Sequence, residues 1–131
     1  MQKVYEDVES DAGEVTRYRK HSNGRGYVAL KATAHPTAEV QAGAYVEPGA
    51  EIAAGAFVGA GSWIDRDAFV SAGAFVGSNV HVGRSATIGR AARVGSGSRI
   101  AEGVRIPDGA RVARDARVET EPRRQDHRRA A

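Results

Sequence analysis

The chain has no cysteine, one methionine and one tryptophan, and only three phenylalanines and four tyrosines in 131 residues. Without cysteine it forms neither a disulfide framework nor a thiolate metal site, and the redox compartment is left open. With so few large apolar side chains, a core cannot be filled by interlocking bulky residues. Long hydrophobic runs are missing too. None approaches a signal h-region or a membrane span, so the expectation is a soluble protein without a Sec-type export segment, cytoplasmic, or part of a virion if phage-encoded. The length suits one domain, and composition does not break in mid-chain.

What the chain has instead is glycine, sixteen residues of it, abundant alanine, and a strict period. Every sixth residue from Val28 to Val118 is Val or Ile, with Ala34 the one exception. The residue two before each of these is small or branched, running Ala32, Ala38, Ala44, Ala50, Ala56, Ser62 and onward to Ala116. Three after each aliphatic the chain favours Gly, Asp, Asn and Ser, as at Gly43, Gly49, Gly55, Gly61, Asp67, Gly73 and Asn79. These residues tolerate the positive φ of a tight corner.

A period of six matches neither helix nor continuous strand. It fits a short strand, whose alternate residues face inward, followed by a corner. Each hexapeptide is then one side of a prism, three sides make an 18-residue coil, and successive coils pair as parallel ladders about 4.8 Å apart. A helix is opposed by the drift of a six-residue period around 3.6 residues per turn and by the glycine content. Collagen is excluded, because glycine does not recur at every third position.

Pairs of hexads such as Ile52-Ala53-Ala54-Gly55-Ala56-Phe57 and Val58-Gly59-Ala60-Gly61-Ser62-Trp63 resemble the hexapeptide repeat of left-handed parallel β-helix proteins, the bacterial transferase hexapeptide superfamily. The resemblance covers residues 28–119 and implies an all-β fold, a left-handed parallel β-helix of about five triangular coils. Left-handedness comes from the resemblance, since parallel crossovers are ordinarily right-handed. That superfamily holds acyltransferases, nucleotidyltransferase domains, γ-class carbonic anhydrases and non-catalytic proteins, so fold alone does not give function. Residues 1–27 are expected to form an N-terminal cap or hairpin over the first coil, with Asn23-Gly24 as its turn. Residues 120–131 are read as a basic flexible tail.

The residue just before each aliphatic points outward, and residues 18 apart share a column. One column reads Tyr27, Tyr45, Trp63, His81, Arg99, Arg117; a second Thr33, Glu51, Phe69, Thr87, Arg105; the third Glu39, Phe57, Phe75, Arg93, Arg111. Aromatic residues therefore occupy the N-terminal coils and arginines the C-terminal ones. Charge divides the same way: residues 1–83 carry 7 Lys/Arg against 10 Asp/Glu, residues 84–131 carry 12 against 6. Tyr27, Tyr45, Phe57, Trp63, Phe69 and Phe75 form an outward belt that reads as an oligomer interface, and the resemblance implies a homotrimer. Arg93, Arg99, Arg105, Arg111 and Arg117 read either as a face for an anionic partner or as a solvated face interleaved with Glu102, Asp108, Asp115 and Glu119.

Enzyme chemistry rests on few residues. The histidines are His21, His35, His81 and His127, no two of them 18 apart, which opposes the three-histidine zinc site of a γ-class carbonic anhydrase. A hexapeptide acyltransferase needs a histidine general base, and His81, outward beside Trp63, is the candidate. Asp65 and Asp67 read as corner residues. No phosphate loop is present, because no helix follows the glycines. Superfamily acyltransferases commonly break the hexad register with a loop, and this register runs unbroken from 28 to 118. The sequence reading is therefore a non-catalytic structural or assembly protein, a rigid trimeric prism acting as scaffold, cap or virion-associated accessory protein, without cofactor, metal or membrane partner. Asn23-Gly24-Arg25-Gly26-Tyr27-Val28 leading into Ala-rich hexads is similar to short bacterial and phage-encoded β-helix proteins. The alternatives are a minimal acyltransferase using His81, and a binding module for an anionic surface or another protein.

Overall fold

The computed structural model describes residues 5–9 and 15–122. The hexads fold as the period dictates. After three longer strands, β1 (Tyr5–Glu9), β2 (Val15–Lys20) and β3 (Tyr27–Ala29), fifteen two-residue strands follow at six-residue intervals, from Thr33–Ala34 to Arg117–Val118. Each pairs in parallel with a strand 18 residues before or after it, giving a left-handed parallel β-helix of about five coils. One prism face is an eight-stranded sheet that runs from β1 and β2 through β3 to Tyr45–Val46, Trp63–Ile64, His81–Val82, Arg99–Ile100 and Arg117–Val118. The other two faces carry five strands each. Of the tail expected at residues 120–131, residues 123–131 lie outside the described residues.

The core is two inward ladders. From Val40 to Ile106 the branched residues are at most 2 % exposed, and full burial of such a side chain contributes about 1.5–3 kcal/mol. The residues two before them are buried as well from Ala32 to Val104, whether alanine, serine or valine. At the corners, thirteen hexads in succession from Gly43 to Asp115 place their fourth residue at φ between +56° and +82°. Asp67, Asn79 and Asp115 suit that conformation. Ala91, at φ +56°, adopts it with no polar side chain to support it.

Two inward positions carry serine, and each hydroxyl enters the next coil's corner. Ser62 Oγ donates to Gly77 O at 2.6 Å and accepts from Val80 N at 3.0 Å. Ser98 Oγ does the same with Ala113 O and Ala116 N, at 2.7 and 3.3 Å. In the other corners that carbonyl and amide bond directly, as Ala86 N does to Gly83 O at 3.0 Å. Inserting a hydroxyl between them satisfies both partners and the buried hydroxyl itself, which would be costly if left unpaired. Among the described residues no buried side-chain N or O lacks a partner.

The N-terminal segment adds strands to one face. β1 pairs antiparallel with β2, and β2 antiparallel with β3. The turn after β2 contains Asn23 and Gly24 and also covers the first coil's edge, since Gly26 N donates to Val40 O at 2.8 Å and Val40 N to Asn23 O at 3.0 Å. Gly24 sits at φ +102°, and a Cβ there would fall 2.3 Å from Val40 O, so no other residue fits. His21 is buried below the turn with Nε2 2.9 Å from Ala38 O.

Candidate functional site

Prism geometry decides which outward residues meet. The residue before each aliphatic and the residue after it, one coil earlier, lie 16 apart in sequence and side by side at the same edge. His81 and Asp65 stand in that relation. His81 Nε2 lies 3.1 Å from Asp65 Oδ2, while Asp65 Oδ1 accepts the Arg66 amide at 2.7 Å. The carboxylate is thus held by its own backbone, and it in turn holds the imidazole. The ring also stacks on Trp63, centroids 4.2 Å apart and planes 10° from parallel. Both side chains keep access to solvent, His81 at 31 % and Asp65 at 21 %. An imidazole oriented through Nε2 presents Nδ1 as its proton-accepting atom. Nothing among the described residues occupies it. Asp65, expected to be a corner residue only, is therefore also the partner of His81. Sequence could have shown this through the 16-residue spacing.

A cavity of about 280 Å³ opens beside this pair, lined by Asp65, His81, Gly83, Arg84, Arg99, Ile100, Ala101, Glu102, Arg117 and Glu119. It follows the prism edge after the eight-stranded face. Further up the same edge, a larger groove of about 790 Å³ is lined by Val15, Thr16 and Arg17 of β2, by Ala29, Leu30 and Lys31, and by Pro48 and Arg66. Between the two, Glu47 stands one coil above Asp65 and accepts the Tyr18 hydroxyl at 2.6 Å. Burial first, then the Glu47 carboxylate, pushes the Tyr18 hydroxyl well above its ordinary value of 10.0.

The aromatic belt is divided among three faces. Tyr27, Tyr45 and Trp63 lie on the eight-stranded face, Phe57 and Phe75 on another, and Phe69 on the third. Tyr27 stacks on Tyr45 at 4.9 Å, and Phe57 on Phe75 at 4.9 Å. Trp63 and Phe69 are the most open, at 45 % and 36 %. The arginines form a collar around all three faces rather than one face: Arg99 and Arg117, Arg105, and Arg93 and Arg111 stand on separate sheets. Their expected interleaving with acids is not seen. No described carboxylate pairs with any of the five. Asp108 instead accepts the Arg90 amide at 2.8 Å, and Arg93 covers the Phe75 ring at 4.8 Å. Among the described residues no group of three His, Asp or Glu is placed to hold a metal, and no helix is long and apolar enough to cross a membrane.

No protein-family model and no curated protein matches the sequence. Solved structures do. The acetyltransferase domain of PglB from Neisseria gonorrhoeae matches at 20% identity over 74% of this chain and 50% of that one, with a TM-score of 0.56. The same domain in complex with acetyl coenzyme A matches at 21% identity over 72% and 49%, with a TM-score of 0.55. The chain thus spans about half the length of the structures it matches, and at these identities the likeness shows the fold. It also corrects the expectation of a non-catalytic scaffold. The two solved chains compared above are acetyltransferase domains, one of them in complex with acetyl coenzyme A. The unbroken register points the other way only because superfamily acyltransferases commonly have a loop that breaks it. His81 and Asp65 meet across successive coils without one.

Proposed function

We propose that the chain is an acyltransferase that moves an acyl group from a thioester donor to an amine or hydroxyl, with His81 as general base and Asp65 as positioning residue. The observation that carries this reading is the 3.1 Å contact between His81 Nε2 and Asp65 Oδ2 at the mouth of a cavity, on a fold shared with acetyltransferase domains. His81 Nδ1 takes the proton from the acceptor as its lone pair attacks the thioester carbonyl. The tetrahedral intermediate then collapses, the C–S bond breaks, and the imidazolium returns the proton to the departing thiolate. Asp65 keeps the ring in the required tautomer, and the Trp63 face favours the imidazolium that forms. Arg84, Arg99 and Arg117 supply positive charge for an anionic part of donor or acceptor.

Release of free thiol from acetyl-CoA, followed across a panel of primary amines and alcohols, tests the reading. His81→Ala should lower turnover by about 100-fold or more. Asp65→Asn should lower kcat with little change in KM. Absence of thiol release with every acceptor by the folded wild-type chain would reject the proposal.

The same reading includes a homotrimer in which a neighbouring chain covers the open rings of Trp63 and Phe69 and closes the edge beside His81. Light scattering after gel filtration, repeated at high salt, should give three times the chain mass. A monomer at both salt concentrations would remove the trimer and leave the cavity to one chain.

A further inference from the structure

The fold constrains the two inward positions of each hexad and leaves the outward residue ahead of the aliphatic open to variation. From Tyr27 to Thr87 that residue takes six types in eleven hexads, and in the next five it is always arginine. All five, Arg93, Arg99, Arg105, Arg111 and Arg117, are exposed.

Register makes this run unfavourable for folding. Arg93 is the ladder partner of Arg111 and Arg99 that of Arg117, and like charges directly opposite one another destabilise a sheet. Carboxylates among the described residues do not relieve them: Asp108 accepts the Arg90 amide, and Arg93 lies against the Phe75 ring. The excess of positive charge holds whichever way the chain continues, because residues 84–122 contain eight Arg against five Asp and Glu, and residues 123–131 add four against one. A run of like charges that opposes folding, at a position the fold leaves open, points to a surface neutralised by a partner.

The shape of the run narrows the partner. Arg105 stands on one sheet, Arg93 and Arg111 on a second, Arg99 and Arg117 on the third, so the charge encircles the prism. A small anion meets one face only. A flat anionic bilayer meets one face or the end, and a protein surface of mixed charge does not match five identical residues in register. A DNA duplex carries a phosphate about every 3.4 Å along each strand, dense enough to oppose arginines repeated at a ladder spacing of about 4.8 Å, and it can lie across an edge against two faces. Bases of a single strand would need rings interleaved with the cations, whereas in every column the rings precede the arginines. Among the described residues there is no helix, and the strands of the collar are two residues long, so nothing enters a groove to read base edges.

We propose that this arginine collar binds the phosphate backbone of duplex DNA without regard to sequence. The site does not rest on acyl transfer, and Arg105 and Arg111 do not line the cavity beside His81.

Fluorescence anisotropy of two labelled duplexes of unrelated sequence, each of about 30 base pairs and titrated with the full chain, tests the proposal. Both should bind saturably and with equal affinity at low salt. With about four phosphates neutralised, affinity should fall on the order of 100-fold between about 50 and 200 mM salt. Arg105→Ala combined with Arg111→Ala should weaken binding about tenfold or more at the lower salt and reduce the salt slope by about two. Arg25→Ala combined with Lys31→Ala removes the same charge from exposed positions at the other end of the chain, and should change affinity less than about threefold. Circular dichroism should show both double variants folded, since every substituted side chain is exposed. No saturable binding, a tenfold preference between the two sequences, or equal weakening by the two double variants would overturn the proposal. So would tighter binding to a single strand, to phosphatidylglycerol vesicles or to polyglutamate than to the duplex, each of which would assign the collar to that other class of partner.

Discussion

Ala91 holds a backbone conformation that its neighbours in the corner column reach with glycine, aspartate, asparagine or serine. For an L-residue with no side-chain partner, left-handed φ costs roughly 1 kcal/mol, and at φ +56° Ala91 bears that cost. The greater freedom of glycine when unfolded offsets about half of that, so Ala91→Gly should stabilise the chain by about 0.5 kcal/mol, measured by chemical denaturation. An unchanged or lower midpoint would show that the corner is not strained. The serines at 62 and 98 make a related point. Periodicity placed them correctly as small inward residues, but could not show that their hydroxyls enter the corners below. That depends on a partner 15 and 18 residues away, which a pattern of apolar spacing does not record.

At the scale of elements, β2 is tied to the prism by Tyr18, 4 % exposed, edge-on to Tyr45 at 5.3 Å and bonded to Glu47. Its hydroxyl titrates above the ordinary value of 10.0, so the fold favours the protonated phenol. The stabilisation is complete below pH 10 and is lost as pH rises through 10 toward the higher folded value. Melting temperatures of wild type and Tyr18→Phe should thus differ at neutral pH and converge above pH 10. A gap that stays constant to high pH would contradict the assignment. Regular elements were legible from sequence because six-residue spacing fixes both faces of every short strand. The way β2 joins the eight-stranded face was not, since nothing in Val15–Lys20 follows the hexad rule. His81 is legible as an outward histidine, whereas its partner Asp65 is not, because columns of residues 18 apart do not contain a pair 16 apart. Contacts between one strand's leading residue and the preceding coil's trailing residue cross the boundaries of the repeat.

Across the whole molecule, coils contact mainly their immediate neighbours, so a lesion matters according to where it interrupts the stack. Val70 is fully buried in a middle coil, and Val112, at 8 %, lies in the last. Val70→Asp leaves an unpaired charge with coils on both sides and should abolish the β-sheet circular dichroism at 25 °C. Val112→Asp can be relieved by fraying of the final coil and should lower the melting temperature while leaving the chain folded. Equal losses in the two variants would mean that the prism unfolds as one indivisible unit.

The coil of three hexads also makes length a form of address. Eighteen residues added between Asp65 and His81 would return the histidine to its own face one coil lower. Six added at a corner would keep every inward residue inward and every strand paired, yet turn His81 by a third of a revolution onto a face that Asp65 does not share. In this architecture a chain can lose its reactive pair through an insertion of whole hexads that leaves its core intact, because the pair needs successive coils as well as a shared edge.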